Sequence, residues 1–156
     1  MQRKLTPGAW VALGGGLGAA ARFILGGGAM TWAPATFPWG TLLVNTSGSV
    51  ILGFVYGMLE GTAPSRDSRT PAFSARTNVP RPPSFPHARA FLAVGMCGGF
   101  TTFSAFSQET LELLRQTRYM AASFYTGGSV LLCIIGVGVG IMTAEAWQSH
   151  QTRPQR

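Results

Sequence analysis

Four long stretches almost free of charge decide what this chain can fold into. They cover residues 8–30, 40–59, 90–114 and 120–144, and the only charged residues inside them are Arg22, Glu109 and Glu112. An α-helix needs about 20 mainly apolar residues to cross a bilayer core, and each stretch reaches that length. Charged residues make up 11% of the chain, against about 25% in soluble domains. A soluble globule of this size would lack the charged surface that keeps it dissolved. The pattern excludes a cytosolic enzyme and intrinsic disorder. It predicts an all-α integral membrane protein with four transmembrane helices.

The net charge of +7 does not indicate nucleic acid. Its basic residues are scattered through the ends and connections, with no basic face interleaved by aromatics. Basic residues beside spans set membrane topology instead. Cys97 and Cys133 both fall inside spans, without disulfide or metal spacing. Met1–Leu5 ahead of an apolar run also fits a signal peptide, with Ala19–Ala21 as the cleavage region. The glycine-rich character of that run and the three spans after it favour a membrane helix.

After a tail over 1–7, the first span carries Gly14 and Gly18, four apart, a spacing that lets helices approach closely in lipid. Trp32, Phe37 and Trp39 in and beside the following connection suit the membrane interface. The second span has Ser49, Gly53 and Gly57 and ends at Glu60-Gly61. Segment 61–89 holds six prolines (64, 71, 80, 82, 83 and 86), five arginines and one acid, Asp67. It cannot sustain a helix and has too little apolar content for a core, so it is expected to be an aqueous loop. The fourth span has Gly136, Gly138 and Gly140, and a polar tail covers 145–156.

Some residues ask for more than packing. The string Gly98-Gly99-Phe100-Thr101-Thr102 lies near the middle of the third span. Glycine costs about 1 kcal/mol in a helix interior and β-branched threonine adds to that, so a helix break is expected here. A break at such depth must be buried in protein, and it frees carbonyls and N–H groups for an ion. An intact helix with packing glycines accounts for the same residues. Phe103 and Phe106 share a helix face; they are lipid filler, or ring edges whose positive quadrupole favours an anion. Thr41, Asn45 and Ser49 form a polar stripe at spacing four, and Tyr125, Ser129 and Cys133 form another. These faces serve as interhelical glue or as donors to a small, strongly hydrated anion. Arg22 snorkels to the interface or places positive charge at a pore mouth. Glu109 and Glu112 fit a solvated helix end.

Three strings together resemble the CrcB/Fluc family of fluoride ion channels. They are Gly14-Gly15-Gly16-Leu17-Gly18-Ala19-Ala20-Ala21-Arg22, then Gly40-Thr41-Leu42-Leu43-Val44-Asn45 with Gly48. The third is Gly95-Met96-Cys97-Gly98-Gly99-Phe100-Thr101-Thr102-Phe103-Ser104-Ala105-Phe106-Ser107 followed by Glu109. The resemblance implies a passive fluoride-selective channel that relieves cytoplasmic fluoride toxicity. It implies an antiparallel dimer of four-helix subunits with two anion pores. A structural sodium ion is implied where the broken third helices meet, held by the backbone carbonyls of Gly98 and Thr101. Asn45, Phe103 and Phe106 correspond to the family's pore asparagine and phenylalanines, and Ser104, Tyr125 and Ser129 to its polar track. Ala105 stands where the family usually has threonine, and the 61–89 loop is long and arginine-rich for it.

Two rivals remain at this stage. A proton-coupled small multidrug-type transporter needs a titratable carboxylate deep in the bundle, and the first two spans have none. A non-conducting scaffold subunit explains the glycines and leaves the Asn45 stripe unused. His87 and His150 lie outside the spans, and no base–nucleophile pair can be assembled, so no enzyme is expected. With four spans, the termini and the 61–89 loop share one side. That side carries Arg3, Lys4, Arg66, Arg69, Arg76, Arg81, Arg89, Arg153 and Arg156, against Arg115 and Arg118 opposite. The bias places termini and loop in the cytoplasm of a cell-membrane protein. The implied partners are fluoride, lipid, and either a second copy or an oppositely biased homologue.

Overall fold

Helix-start chemistry is written into the first described residues. The computed structural model describes residues 5–28, 36–60 and 86–151, and among these all regular structure is helical. The Thr6 hydroxyl accepts a hydrogen bond from the Ala9 N–H at 3.4 Å. Pro7 fills the first helical position, where its missing N–H costs nothing. From there α1 covers Pro7–Phe23 and continues in wider π-type turns over Ile24–Gly28. Helix α2 covers Trp39–Glu60. Helix α3 joins Pro86–Ala88, the π-type stretch Arg89–Cys97 and Gly98–Phe100. Helix α4 covers Phe103–Arg115, and α5 covers Tyr119–Gln151. Among the described residues, four spans are long and apolar enough to cross a membrane: Pro7–Gly26, Trp39–Leu59, Pro86–Arg115 (α3 with α4) and Tyr119–Gln151. The expected four-span, all-α membrane architecture is present. Residues 61–85 of the proline- and arginine-rich segment, Trp32, and the terminal residues 1–4 and 152–156 lie outside the described residues.

Helix packing is backbone on backbone. α1 lies along α3, and α2 along α5. A Cβ on Gly14 would sit 2.2 Å from the Phe91 carbonyl oxygen, and one on Gly18 2.1 Å from that of Met96. Gly53 and Gly140 make the same kind of approach to the Val137 and Val50 carbonyls, at 2.2 Å each. In lipid no hydrophobic effect draws helices together, so this closeness of fit supplies the association.

Polar and aromatic contacts pin the two ends. Arg89 donates from Nη2 to the Tyr56 hydroxyl at 3.1 Å and lies 4.9 Å from that ring's centroid. Gln148 donates to the Gly57 carbonyl at 3.1 Å, and Trp10 meets Phe91 edge-on. At the opposite end Arg118 donates to the Thr36 carbonyl. There α4 ends with Arg118 N–H bonded to the Leu113 carbonyl and Thr117 N–H to that of Leu114, both at 3.0 Å. This termination puts Thr117 at φ 58°, where glycine is the usual residue.

The third span is broken. Thr101 (ψ 158°) and Thr102 (φ −147°, ψ 119°) are extended, and α4 restarts with Thr102 as its cap, its hydroxyl accepting from Ala105 N–H at 3.2 Å. The expected break falls on the Thr-Thr pair after the two glycines.

Candidate functional site

A break in a buried helix leaves carbonyls without donors, and the replacement bonds here are specific. The Thr102 N–H, which an unbroken helix would give to the Gly98 carbonyl, is bonded by Asn45 Oδ1 at 2.7 Å. Asn45 Nδ2 donates in return to the Thr102 carbonyl at 2.9 Å. The Ala105 N–H, the helical partner of the Thr101 carbonyl, goes to the Thr102 hydroxyl. Gly98 and Thr101 have therefore lost the helical donors of their carbonyls. The Thr101 carbonyl instead accepts from Arg22 Nη1 at 3.4 Å. Gly98 is exposed, and nothing lies within 4 Å of a Cβ built on it. Neutral carbonyl oxygens of this kind are ligands for a hard cation. The residues thus fit the sodium site that the resemblance implies.

Asn45 is a brace first. Two of its three hydrogen-bonding groups are spent on Thr102, which leaves one amide N–H for other use. Arg22 likewise aims its guanidinium at the break.

Toward the Arg118 end, the two polar stripes converge on a residue that the sequence assigned to a solvated helix end. Glu109 accepts from the Thr41 hydroxyl on Oε1 at 2.8 Å and from the Tyr125 hydroxyl on Oε2 at 2.6 Å. Tyr125 is 0% exposed, and its ring sits 5.3 Å from Phe106 and edge-on to Phe37 at 5.6 Å. Ser129, one turn further along α5, is 4% exposed, and its Oγ has no hydrogen-bond partner. The Thr46 hydroxyl is also buried and unpartnered. Spacing puts Glu109 three positions after Phe106, on the same helix face, but no local signal names Thr41 and Tyr125, on two other helices, as its partners.

The phenylalanines differ in environment. Phe106 packs into the cluster around Tyr125, whereas Phe103, 5.5 Å away, is 78% exposed. Ser104 is exposed, with its Oγ 3.2 Å from the Thr102 hydroxyl. A cavity of about 230 Å³, lined by Thr36, Phe37, Glu109, Glu112 and Arg118 among others, leads from the chain's surface to Glu109. The structure thus places Thr41 and Tyr125 on one carboxylate, with Phe106 against the Tyr125 ring. Asn45, Thr101, Arg22 and Gly98 gather at the break, and Phe103 and Ser104 face outward.

The family model described as CrcB-like protein, Camphor Resistance (CrcB), matches residues 9–141, a stretch that takes in both the break and the carboxylate cluster. The chain belongs to the CrcB family. Three CrcB relatives carry the name fluoride-specific ion channel FluC. The one from Nitrobacter winogradskyi is 38% identical over 131 residues, 84% of this chain and 89% of the relative. Those from Methylocella silvestris and Opitutus terrae are each 39% identical, over 88% and 90% of this chain and 92% and 93% of theirs. With its four spans, this CrcB chain is a multi-pass membrane protein.

Proposed function

We propose that this CrcB chain is a subunit of a passive, fluoride-selective channel that lets fluoride leave the cytoplasm and so relieves its toxicity. The observation that carries the reading is the Glu109 carboxylate held by the Thr41 and Tyr125 hydroxyls. An anion already sits on two neutral O–H donors, and the buried Ser129 hydroxyl beyond them lacks a partner. The Ser129 hydroxyl, not engaged by that carboxylate, is a neutral donor that can replace the water of a small hydrated anion without a full charge that would trap it. The ring edges of Phe103 and Phe106 add weak positive potential along the same route. The relatives named as fluoride channels support the choice of anion.

Two partners belong to the same proposal. A second subunit in the opposite orientation covers the face bearing Phe103 and Gly98, both exposed in the single chain. A sodium ion on the Gly98 and Thr101 carbonyls of each subunit offsets the negative end of α3 at that centre. The cytoplasmic side is the one with the termini and the 61–89 loop, by the distribution of basic residues. A homodimer and a heterodimer with an oppositely biased homologue both satisfy this arrangement.

The test is fluoride efflux from liposomes holding the purified protein. Fluoride is expected to leave down its gradient with no dependence on a proton gradient, and absence of such efflux overturns the reading. Glu109→Gln keeps the shape but removes the charge and turns an amide toward two hydroxyl donors. Losing two charge-assisted hydrogen bonds is expected to lower efflux by about tenfold or more. Efflux equal to wild type would take Glu109 out of the path.

Phe103→Ile and Phe106→Ile keep apolar bulk and delete the ring edge. Each is expected to cut efflux, measured the same way. Only Phe106→Ile should also lower thermal stability, by about 1 kcal/mol, because it alone packs in the Tyr125 cluster. Efflux losses no larger than the stability losses would reduce both rings to packing.

A further inference from the structure

α3 ends at the break with its last carbonyls lacking helical donors, which makes that point the negative end of a helix dipole inside the bundle. Such an end attracts any cation, and a divalent ion twice as strongly as a monovalent one. Oxygen ligands also suit calcium as well as they suit sodium. Nothing in a ring of neutral carbonyls refuses a dication. A different group must do so.

Arg22 is placed for that role. Its Nη1 lies 3.4 Å from the Thr101 carbonyl oxygen, long for a hydrogen bond, so it leaves that oxygen a lone pair for an ion. Guanidinium is charged at every physiological pH. Among the described residues no carboxylate is bonded to Arg22, and the carboxylate of Glu109 is held by Thr41 and Tyr125 instead. The Arg22 guanidinium is therefore the charge bonded directly to the Thr101 carbonyl.

We propose that Arg22 is the specificity-determining residue of the carbonyl site at the helix break, restricting it to monovalent cations by fixed-charge repulsion. The inference rests on the cation site proposed above. Repulsion between point charges scales with their product, so a dication at a given position loses twice what a monocation loses. A dication must also shed a much more tightly held hydration shell. With Arg22 in place the carbonyls therefore still hold sodium but no longer offset the dehydration of calcium or magnesium. The Arg22 donor also holds the Thr101 carbonyl in place, a second duty that a neutral amide would keep.

Thermal-shift titration of the purified protein tests this, in fluoride-free buffer so that calcium fluoride does not precipitate. Sodium chloride and calcium chloride are titrated separately, with ionic strength held constant by N-methyl-D-glucamine chloride. Wild type is expected to be stabilised by sodium and not by calcium. Arg22→Gln, which keeps an N–H donor, should gain calcium stabilisation, with a midpoint at least about tenfold below any seen in wild type. Its sodium midpoint should shift by less. Arg22→Lys keeps the charge and should keep the refusal of calcium. If sodium stabilises Arg22→Gln and calcium still does not, the role of Arg22 is overturned and the sodium site survives. Equal stabilisation of wild type or of Arg22→Lys by the two ions also overturns it, which covers a Gln variant that fails to fold. If sodium stabilises neither wild type nor variant, the cation site falls and this inference with it.

Discussion

Asn45→Asp is expected to lower fluoride efflux from liposomes by about a hundredfold or more. The substitution keeps an acceptor for the Thr102 N–H but loses the donor that now meets the Thr102 carbonyl at 2.9 Å. Carboxylate and carbonyl oxygens are then left face to face. An uncompensated charge in a partly buried site costs about 3–5 kcal/mol, and about 1.4 kcal/mol is a factor of ten. The same charge repels an approaching anion, so bracing and permeation fail together. Neutral Asn45→Ser loses the brace without the repulsion and should retain more flux than the aspartate variant. Helical content by circular dichroism checks that both variants are folded. Wild-type efflux from Asn45→Asp would show that neither the brace nor the amide matters.

The second large effect is on folding. Gly18→Ala is expected to destabilise the subunit by about 3 kcal/mol or more, because relief of the clash requires α1 and α3 to separate. The added Cβ would lie 2.1 Å from the Met96 carbonyl oxygen and 2.8 Å from the Phe100 nitrogen, both backbone atoms that no rotamer change can move. Gly16→Ala is the matched control. No atom lies within 4 Å of its Cβ position, and alanine gains up to about 1 kcal/mol over glycine in a helix. Thermal melts followed by size-exclusion chromatography should separate the two variants clearly. Similar melting points would mean that the α1–α3 contact is looser than its geometry.

What was legible in advance follows the range of each interaction. The four spans depend on local composition, so their number and order can be read directly from charge-free runs. The break depends on Gly98, Gly99, Thr101 and Thr102, all within one turn or so, and it falls where those residues predict. The spacing of Gly14 and Gly18 announces a close helix contact, but the opposing surface on α3 depends on a connection from another part of the chain. Asn45 shows the same limit: an amide inside a span must find a partner, and nothing local says that the partner is Thr102. Glu109 looks like a wet helix end because α4 ends in Arg115, Gln116 and Arg118. Its two hydroxyl partners come from α2 and α5, which the sequence alone does not bring to it. Thr117 carries no local signal, since glycine is the residue expected at a positive φ.

The unequal lengths of the spans have a mechanical consequence. At about 1.5 Å per residue, the first span, with 20 residues, reaches about 30 Å, just the thickness of a typical bilayer core, while the last, with 33, has length to spare. Among the described residues, hydrophobic mismatch therefore bears on α1 and α2, with 20 and 21 residues, before it bears on α5. A helix relieves mismatch by tilting, but α1 is locked to α3 through Gly14 and Gly18, just before the break that α3 ends in. Lipids with longer or shorter acyl chains consequently act on the geometry at Thr101 and Thr102, and bilayer thickness becomes a variable of the break itself.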